Sequence, residues 1–227
     1  MRERRLKFWG WGYEDEGLTN QERRSLGAFY AQRFGVAGFD EVAPPEADEI
    51  SLPRPRLAPP NTLAHICTSD HYQRLTHAFG KSFPDSVRMF ARDVPHAPDT
   101  VATPNTEAEV TALLDWADGA GAAVIPYGGG SSVVGGVEAA GCDGYRGVLT
   151  IDLTALDQVL EIDRASRAAR IQAGIRGPAL EKRLGEEGLT LRHFPQSFAI
   201  ATLGGWIATR SGGHFATLYT HIDDFVE

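Results

Sequence analysis

Three features of the sequence predict an α+β fold. Strand-like and helix-like segments alternate from Pro98 onward, an apolar strand runs directly into a glycine-rich loop, and a second cluster of paired glycines follows near the end. The loop is the most informative of these. Ala122-Ala-Val-Ile-Pro-Tyr-Gly-Gly-Gly-Ser-Ser-Val-Val-Gly-Gly-Val137 carries no charged side chain up to that point. Glycines permit positive φ and let main-chain N–H groups converge on an anion with no Cβ between them. Each such bond contributes roughly 1.5–3 kcal/mol, so three or four can hold a diphosphate without a lysine. A Walker A loop would end in Gly-Lys-Ser/Thr, whereas Gly130 is followed by Ser131 and Ser132. A Rossmann fingerprint begun at Gly128 would need glycine where Val133 stands. A plain mobile turn is the alternative, but such linkers are usually polar rather than bounded by Val-Ile-Pro and Val-Val.

The elements follow in order. Residues 1–97 read as an N-terminal segment. Its basic start, Met1-Arg-Glu-Arg-Arg-Leu-Lys7, is followed by Phe8-Trp9-Gly-Trp11-Gly-Tyr13 instead of the apolar run of a targeting signal. Asn20 to Phe34 reads as a short helix. Residues 43–60 hold six of the 13 prolines and form an extended connector. Asp70 to Phe79 places Tyr72, Leu75, Ala78 and Phe79 on one helical face. Asp99 to Pro104 suggests a short strand, and Thr106-x-x-Glu109 is a capping box. It opens a helix with Val110, Leu113, Leu114 and Ala117 on one face, stopped by Gly119 and Gly121. Strands are expected at 122–126, 148–153, 158–163 and 167–173. Gly177 to Glu187 reads as a helix with Leu180 and Leu184 inward, and Leu189 to Phe194 as a further strand. In the second glycine cluster, Pro195 to Gly213, the residues Thr202, Gly204 and Gly205 are expected to present N–H groups to phosphate oxygens at the start of a short helix. Tight strand-to-helix packing is the alternative there. No internal repeat is evident.

Composition narrows the class. A chain of 227 residues, 42% hydrophobic and 23% charged, can bury a substantial core in one or two domains. A net charge of −8 argues against nucleic acid as partner. An anionic cofactor stays admissible, because screening acts over about 8 Å and N–H dipoles set the local field. Cys67 and Cys142 sit in no CxxC pair, so a reducing compartment is the simpler inference. No run of 18 apolar residues is present to span a membrane. The alanine- and arginine-rich composition points to a bacterial cytosol, with a peripheral position at the inner membrane surface as the alternative.

These segments together carry a resemblance. The order PYGGGSSVVGG, then AGI-x-G-x-x-L-E-x-x-L from Ala173 to Leu184, then P-x-S-x-x-x-x-T-x-GGW-x-x-TRS from Pro195 to Ser211, resembles the FAD-binding domain of the vanillyl-alcohol oxidase superfamily. Within it, the opening Phe8-Trp-Gly-Trp-Gly-Tyr13 and the terminal Tyr219-x-x-Ile-Asp-Asp-Phe-Val226 are most similar to the alkyldihydroxyacetonephosphate synthase (alkylglycerone-phosphate synthase) family. The resemblance implies an incomplete PCMH-type FAD-binding domain of two α/β subdomains over 98–227, preceded by a helical and extended segment. The family's FAD positions fall on Pro126, Tyr127, Gly128, Gly129, Gly130, Ser131 and Ser132, on Gln196, Ser197, Phe198, Ala199, Ile200, Ala201 and Thr202, and on Thr209, Arg210, Ser211 and Gly212. Some relatives attach the flavin covalently through a histidine after the two loop glycines. Ser131 stands there, so non-covalent FAD is expected.

Family members are considerably longer, and the chain stops just after Val226, which implies a truncated product or a fragment without the substrate-binding cap. The implied reaction belongs to ether lipid biosynthesis. It exchanges the acyl group of acyl-dihydroxyacetone phosphate for a long-chain fatty alcohol, with the flavin as electrophile and no net redox cycle. Those two lipids are the implied partners, and a homodimer is left open. No catalytic residue is assigned. An FAD-linked dehydrogenase of 2-hydroxy acids such as D-lactate or glycolate shares the same cradle and is one alternative; an inactive fragment is the other.

Individual side chains add less. Cys67 and His71 have i,i+4 spacing, but two ligands do not make a metal site, and no metal is expected. His71 and His77 flank a helix. His193, beside Phe194-Pro195, either approaches the flavin or substrate or is a satisfied structural histidine. His214 and His221 read as surface or loop residues. Arg210 either contacts a cofactor phosphate or lies on a helix surface. Trp9, Trp11 and Tyr13 read as an aromatic anchor packing the tail onto the body, with membrane-interface contact as the lesser alternative.

Overall fold

The computed structural model describes residues 4–214 and 221–227. The first three residues of the basic start and Tyr219 of the terminal motif lie outside them. In chain order the helices are α1 (Asn20–Phe34), α2 (His71–Thr76), α3 (Phe83–Phe90), α4 (Glu107–Ala120), α5 (Gly177–Gly185) and α6 (Leu203–Ala208). The strands are β1 (Cys67–Thr68), β2 (Thr100–Ala102), β3 (Ala123–Tyr127), β4 (Val148–Asp152), β5 (Val159–Asp163) and β6 (Ala168–Ile171). Two compact units result, residues 1–51 with 83–94, and residues 52–82 with 95–227.

In the first unit the aromatic opening folds back on itself. Leu6 bridges Tyr13, Lys7 N–H donates to Gly12 O, and Glu14 N–H donates to Arg5 O. The Arg4 guanidinium lies 4.2 Å from the centre of the Tyr13 ring and pairs with Asp15 and Glu16. The aromatic anchor is redistributed relative to expectation: Phe8 is the buried ring, while Trp11 is exposed. α1 spans the expected residues because both its ends are chemically specified. Thr19 and Glu22 form a reciprocal capping box, and Gly35 closes the helix at φ 67°. Helix α3, over Phe83–Phe90, lies outside the helices expected from the sequence.

The second unit holds the site. Its main sheet has the order β1-β2-β4-β3, with β2, β4 and β3 parallel and β1 antiparallel at one edge. Parallel strands need a covered crossover, and α4 supplies it between β2 and β3. Glu109 accepts from Asn105 N–H and Thr106 N–H to start this helix, and Gly121 at φ 64° ends it. The helix runs through Gly119, so only Gly121 acts as a stop. Leu113 and Ala117 pack with Leu63, Ile66, Ala102, Leu149 and Ile151, whereas Leu114 is exposed and not on the core face. A second core forms around α5, α6 and the β5–β6 hairpin, from Ile175, Leu180, Leu184, Ala201, Leu203, Trp206 and Ile222.

The expected strand at 189–194 is absent. Glu181 Oε1 accepts the N–H groups of both Leu191 and Arg192, at 3.1 and 3.2 Å. Successive N–H groups of a strand point to opposite sides, so a carboxylate that takes two consecutive ones prevents ladder pairing.

The proline-rich connector is tied down by buried charge. Arg74 of α2 is 4% exposed, and its guanidinium donates to Pro98 O at 2.7 Å and to Pro53 O at 2.6 Å. Asp99, just before β2, accepts from Arg56 N–H, from the Arg56 guanidinium and from Val148 N–H. Burial alone would raise the Asp99 carboxyl, but these donors outweigh it and hold the group below its usual range. A carboxyl depressed on folding stabilises the protein above its unfolded pKa, and that contribution is lost as pH falls through the folded value. Asp99→Ala is therefore expected to cost about 3 kcal/mol at pH 7. The difference from wild type should shrink below about pH 4, near the unfolded carboxyl value. Urea unfolding of both proteins at pH 7 and pH 3 measures this.

Candidate functional site

The site is built where β3 and β4 end side by side, with Tyr127 paired in register with Asp152. From there the chain enters the glycine loop. Among the described residues, the amides of Gly129, Gly130, Ser131 and Ser132 donate to no other protein group. Gly130 lies at φ 63°, which residues with a Cβ avoid. The back of the loop is held by the 76–81 segment. Tyr127 Oη donates to Thr76 O, Lys81 N–H donates to Ser132 O at 2.7 Å, and Gly80 packs against Ser132 so tightly that a Cβ there would strike its carbonyl. At the far end, Ser132 Oγ accepts from Gly136 N–H at 2.9 Å.

Beneath the loop the His77 ring bridges two elements. Nδ1 lies 2.7 Å from Gln73 O, Nε2 lies 3.2 Å from Asp152 Oδ2, and the ring centre lies 4.2 Å from that of Tyr127. Burial raises the Asp152 carboxyl, but hydrogen bonds with His77 and from Thr154 outweigh it and leave the group below the usual carboxylate range. His77 is thus a structural tie at the root of the loop. Nothing in the local sequence pairs residues this far apart.

The second segment meets the loop backbone to backbone. A Cβ at Gly129 would run into Ile200 O and lie 2.8 Å from Ala201 Cα, and a Cβ at Gly128 would strike Thr202 Oγ1. Only glycine allows this approach. The amides of Gly204 and Gly205, expected to face phosphate, are already engaged. Gly204 N–H donates to Ala173 O at 2.8 Å and Gly205 N–H to Thr202 Oγ1 at 3.3 Å, while Leu203 N–H donates to Ile175 O. These bonds, with the Arg176–Thr202 bridge, lock α6 against residues 173–176. Gly204 serves tight packing: a Cβ there would sit 2.7 Å from Ala173 Cβ. In the turn before α6, Phe198 N–H donates to Pro195 O, and Ile200 and Ala201 N–H both donate to Ser197 O. The amides of Gln196, Ser197 and Ala199 have no protein acceptor among the described residues.

The third segment follows α6. Thr209 Oγ1 donates to Gly205 O, and Ser211 N–H donates to Trp206 O. Ser211 Oγ lies 3.2 Å from Nε2 of His193, which is 1% exposed. The His193 ring centre is 5.1 Å from that of Trp206. Arg210, at φ 49°, pairs with Asp223 through Nε and Nη2 at 3.0 and 2.7 Å. Its guanidinium is thereby committed to a carboxylate on the surface. His214 and His221 are exposed. Cys67 packs against the core beside β2, and burial pushes its thiol up to about 11, the behaviour of a packed thiol rather than a ligand. No group of three His, Cys, Asp or Glu among the described residues is placed to hold a metal.

The fold and the cradle define a class of protein, a flavin-dinucleotide-binding domain. A family model described as an FAD binding domain matches residues 98–227, and the chain belongs to that family. More particularly, alkyldihydroxyacetonephosphate synthase of Dictyostelium discoideum is 42% identical over 155 residues, 68% of this chain and 25% of that protein. The synthase of Trypanosoma brucei brucei is 36% identical over 157 residues, 69% of this chain and 26% of that protein. A solved structure of alkyldihydroxyacetonephosphate synthase superposes with a TM-score of 0.83 at 33% identity, covering 96% of this chain and 46% of that one. An FAD-linked oxidoreductase of Escherichia coli strain K12 is 34% identical over 146 residues, 64% of this chain and 29% of that protein. The chain spans about a quarter of the length of these synthases in the matched region.

The residues present fit FAD. The amides of Gly129–Ser132 have no protein acceptor among the described residues and would be available to a diphosphate, glycine keeps side chains out of the loop, and the indole N–H of Trp206, buried at 2% exposure, likewise has no protein acceptor among those residues. Gly129→Ala is expected to displace the Ile200 carbonyl and weaken FAD binding at least about tenfold, the loss of a single charge-assisted contact. Titration of FAD fluorescence quenching with purified wild-type and variant chains checks this.

Proposed function

We propose that this chain is the FAD-holding portion of an alkyldihydroxyacetonephosphate synthase-like flavoenzyme. The observation that carries the reading is the reach of the structural likeness. It covers 96% of the chain, well beyond the residues 98–227 matched by the FAD binding domain model. The Gly129–Ser132 amides would hold the diphosphate, and residues 196–202 and 209–212 would flank the remainder of the cofactor. Ser131 offers no nucleophilic imidazole, which supports non-covalent FAD.

The substrates in this reading are acyl-dihydroxyacetone phosphate and a long-chain fatty alcohol. The alcohol oxygen ends bonded to the glycerone carbon, a fatty acid leaves, and no electrons are exchanged overall. Bound FAD supplies the electrophile, while the chain orients it and excludes water. His193, buried beside Ser211 and Trp206, is the titratable group of this region that best fits a role toward cofactor or substrate. Both cysteines are free, which supports a reducing compartment. Among the described residues no helix is long and apolar enough to cross a membrane.

FAD added to the purified chain is expected to co-elute with it and to pass wholly into the supernatant on acid precipitation. Yellow colour left in the pellet would contradict non-covalent binding. Incorporation of labelled fatty alcohol into acyl-dihydroxyacetone phosphate without an electron acceptor supports the synthase reading. Bleaching of the flavin band by a D-2-hydroxy acid, without alcohol exchange, would replace it with a dehydrogenase.

A further inference from the structure

The turn that leads into His193 is held in a conformation its own residues disfavour. Arg192 sits at φ 60°, in the left-handed region where a Cβ crowds the backbone. A single carboxylate surrounds it. Glu181 Oε1 accepts from Leu191 N–H and Arg192 N–H, Glu181 Oε2 accepts from Thr190 Oγ at 2.7 Å, and Thr190 Oγ1 itself accepts from Arg192 N–H at 3.0 Å. Glu181 is presented rigidly, because its helix neighbours Leu180 and Leu184 are buried in the core with Trp206. Immediately after the turn the chain drops inward. His193 becomes fully buried and meets Ser211, and the following residue, Phe194, accepts His214 N–H on its carbonyl.

We propose that Glu181 is a positioning residue for His193: its carboxylate pins residues 190–192 in the left-handed turn that delivers the imidazole to Ser211. Among the described residues, the Glu181 carboxylate accepts hydrogen bonds from residues 190–192 and from neither Ser211 nor the glycine loop, so it acts through the backbone. Its relevance to catalysis rests on the reading that residues 196–202 and 209–212 flank the flavin. Without the pin, Arg192 relaxes toward negative φ, the next residues adopt extended geometry, and the ring leaves Ser211.

The test uses the full chain without FAD, so that it stands apart from the flavin reading. The side-chain Hε1–Nε2 correlation of His193 in the 15N-histidine-labelled protein is assigned by its loss in His193→Gln. Glu181→Ala is expected to move or broaden that signal in a protein that still melts cooperatively, whereas Glu181→Gln, which can accept both amides, leaves it in place. Adding Arg192→Gly to Glu181→Ala should restore the signal, because glycine takes the left-handed turn unaided. Should Glu181→Ala prove unfolded, Glu181→Asp, which withdraws the carboxylate by one methylene, is read in the same way. An unmoved His193 signal in the folded Glu181 variant, or no restoration by Arg192→Gly, overturns the proposal. FAD titration of the same variants reads the flavin assignment separately. Displacement of His193 with unchanged FAD affinity upholds the positioning role and removes His193 from the neighbourhood of the cofactor.

Discussion

Two stretches of chain distant in sequence come together where Gly129 meets the Ile200–Ala201 backbone and Gly128 meets the Thr202 side chain, and the site depends on that contact. Close packing leaves no slack at such a junction. An added methyl group must push aside the Ile200 carbonyl at Gly129 or the Thr202 hydroxyl at Gly128, and the elements behind them have little freedom to move. The loop is fixed from the other side by Lys81 N–H on Ser132 O and by the packing of Gly80. The 200–202 segment is fixed by α6, whose first amides bond residues 173–202 rather than any ligand. The open amides of Gly129–Ser132 are thus presented by a loop held from both sides, and among the described residues they share their lack of a protein acceptor with the amides of Gln196, Ser197 and Ala199.

Charge is used sparingly inside this frame. Arg74, Asp99, His77 and Asp152 are buried or nearly so, and each is matched by a partner of suitable polarity. None of them belongs to the glycine loop. They fasten the connector and the strand ends, which leaves the cradle itself free of charged side chains and dependent on main-chain dipoles. A net negative protein can hold an anionic cofactor on those terms, since the attraction is local and directional.

The elements that could be read from the sequence are those specified locally. Thr106–Glu109 announces a helix start and Gly121 its end, Asn20–Phe34 reads as a helix whose Thr19–Glu22 cap and Gly35 stop the structure supplies, and the apolar runs at β3 and β4 read as strands. The failures share a cause. Leu189–Phe194 has a strand-like pattern, yet a carboxylate on another helix takes its N–H groups. Gly204 and Gly205 look like an anion site, yet Ala173 O and Thr202 Oγ1 are closer partners. Gly119 looks like a stop, but within a helix whose other residues pack well it is tolerated.

Sequence by itself determined that an apolar strand feeding a glycine run with no lysine admits a diphosphate held by backbone, while the flavin dinucleotide followed from the resemblance that this loop and the later Pro-x-Ser and Gly-Gly-Trp segments carry to a known family. Tertiary structure alone decided which amides remain open, that His77 and Asp152 brace the loop from beneath, and that Glu181 shapes the turn before His193. The division has a physical reason. Conformational preference and capping act over a few residues and are written in their order, whereas competition for a hydrogen-bond partner is settled only when distant groups are packed within reach of one another.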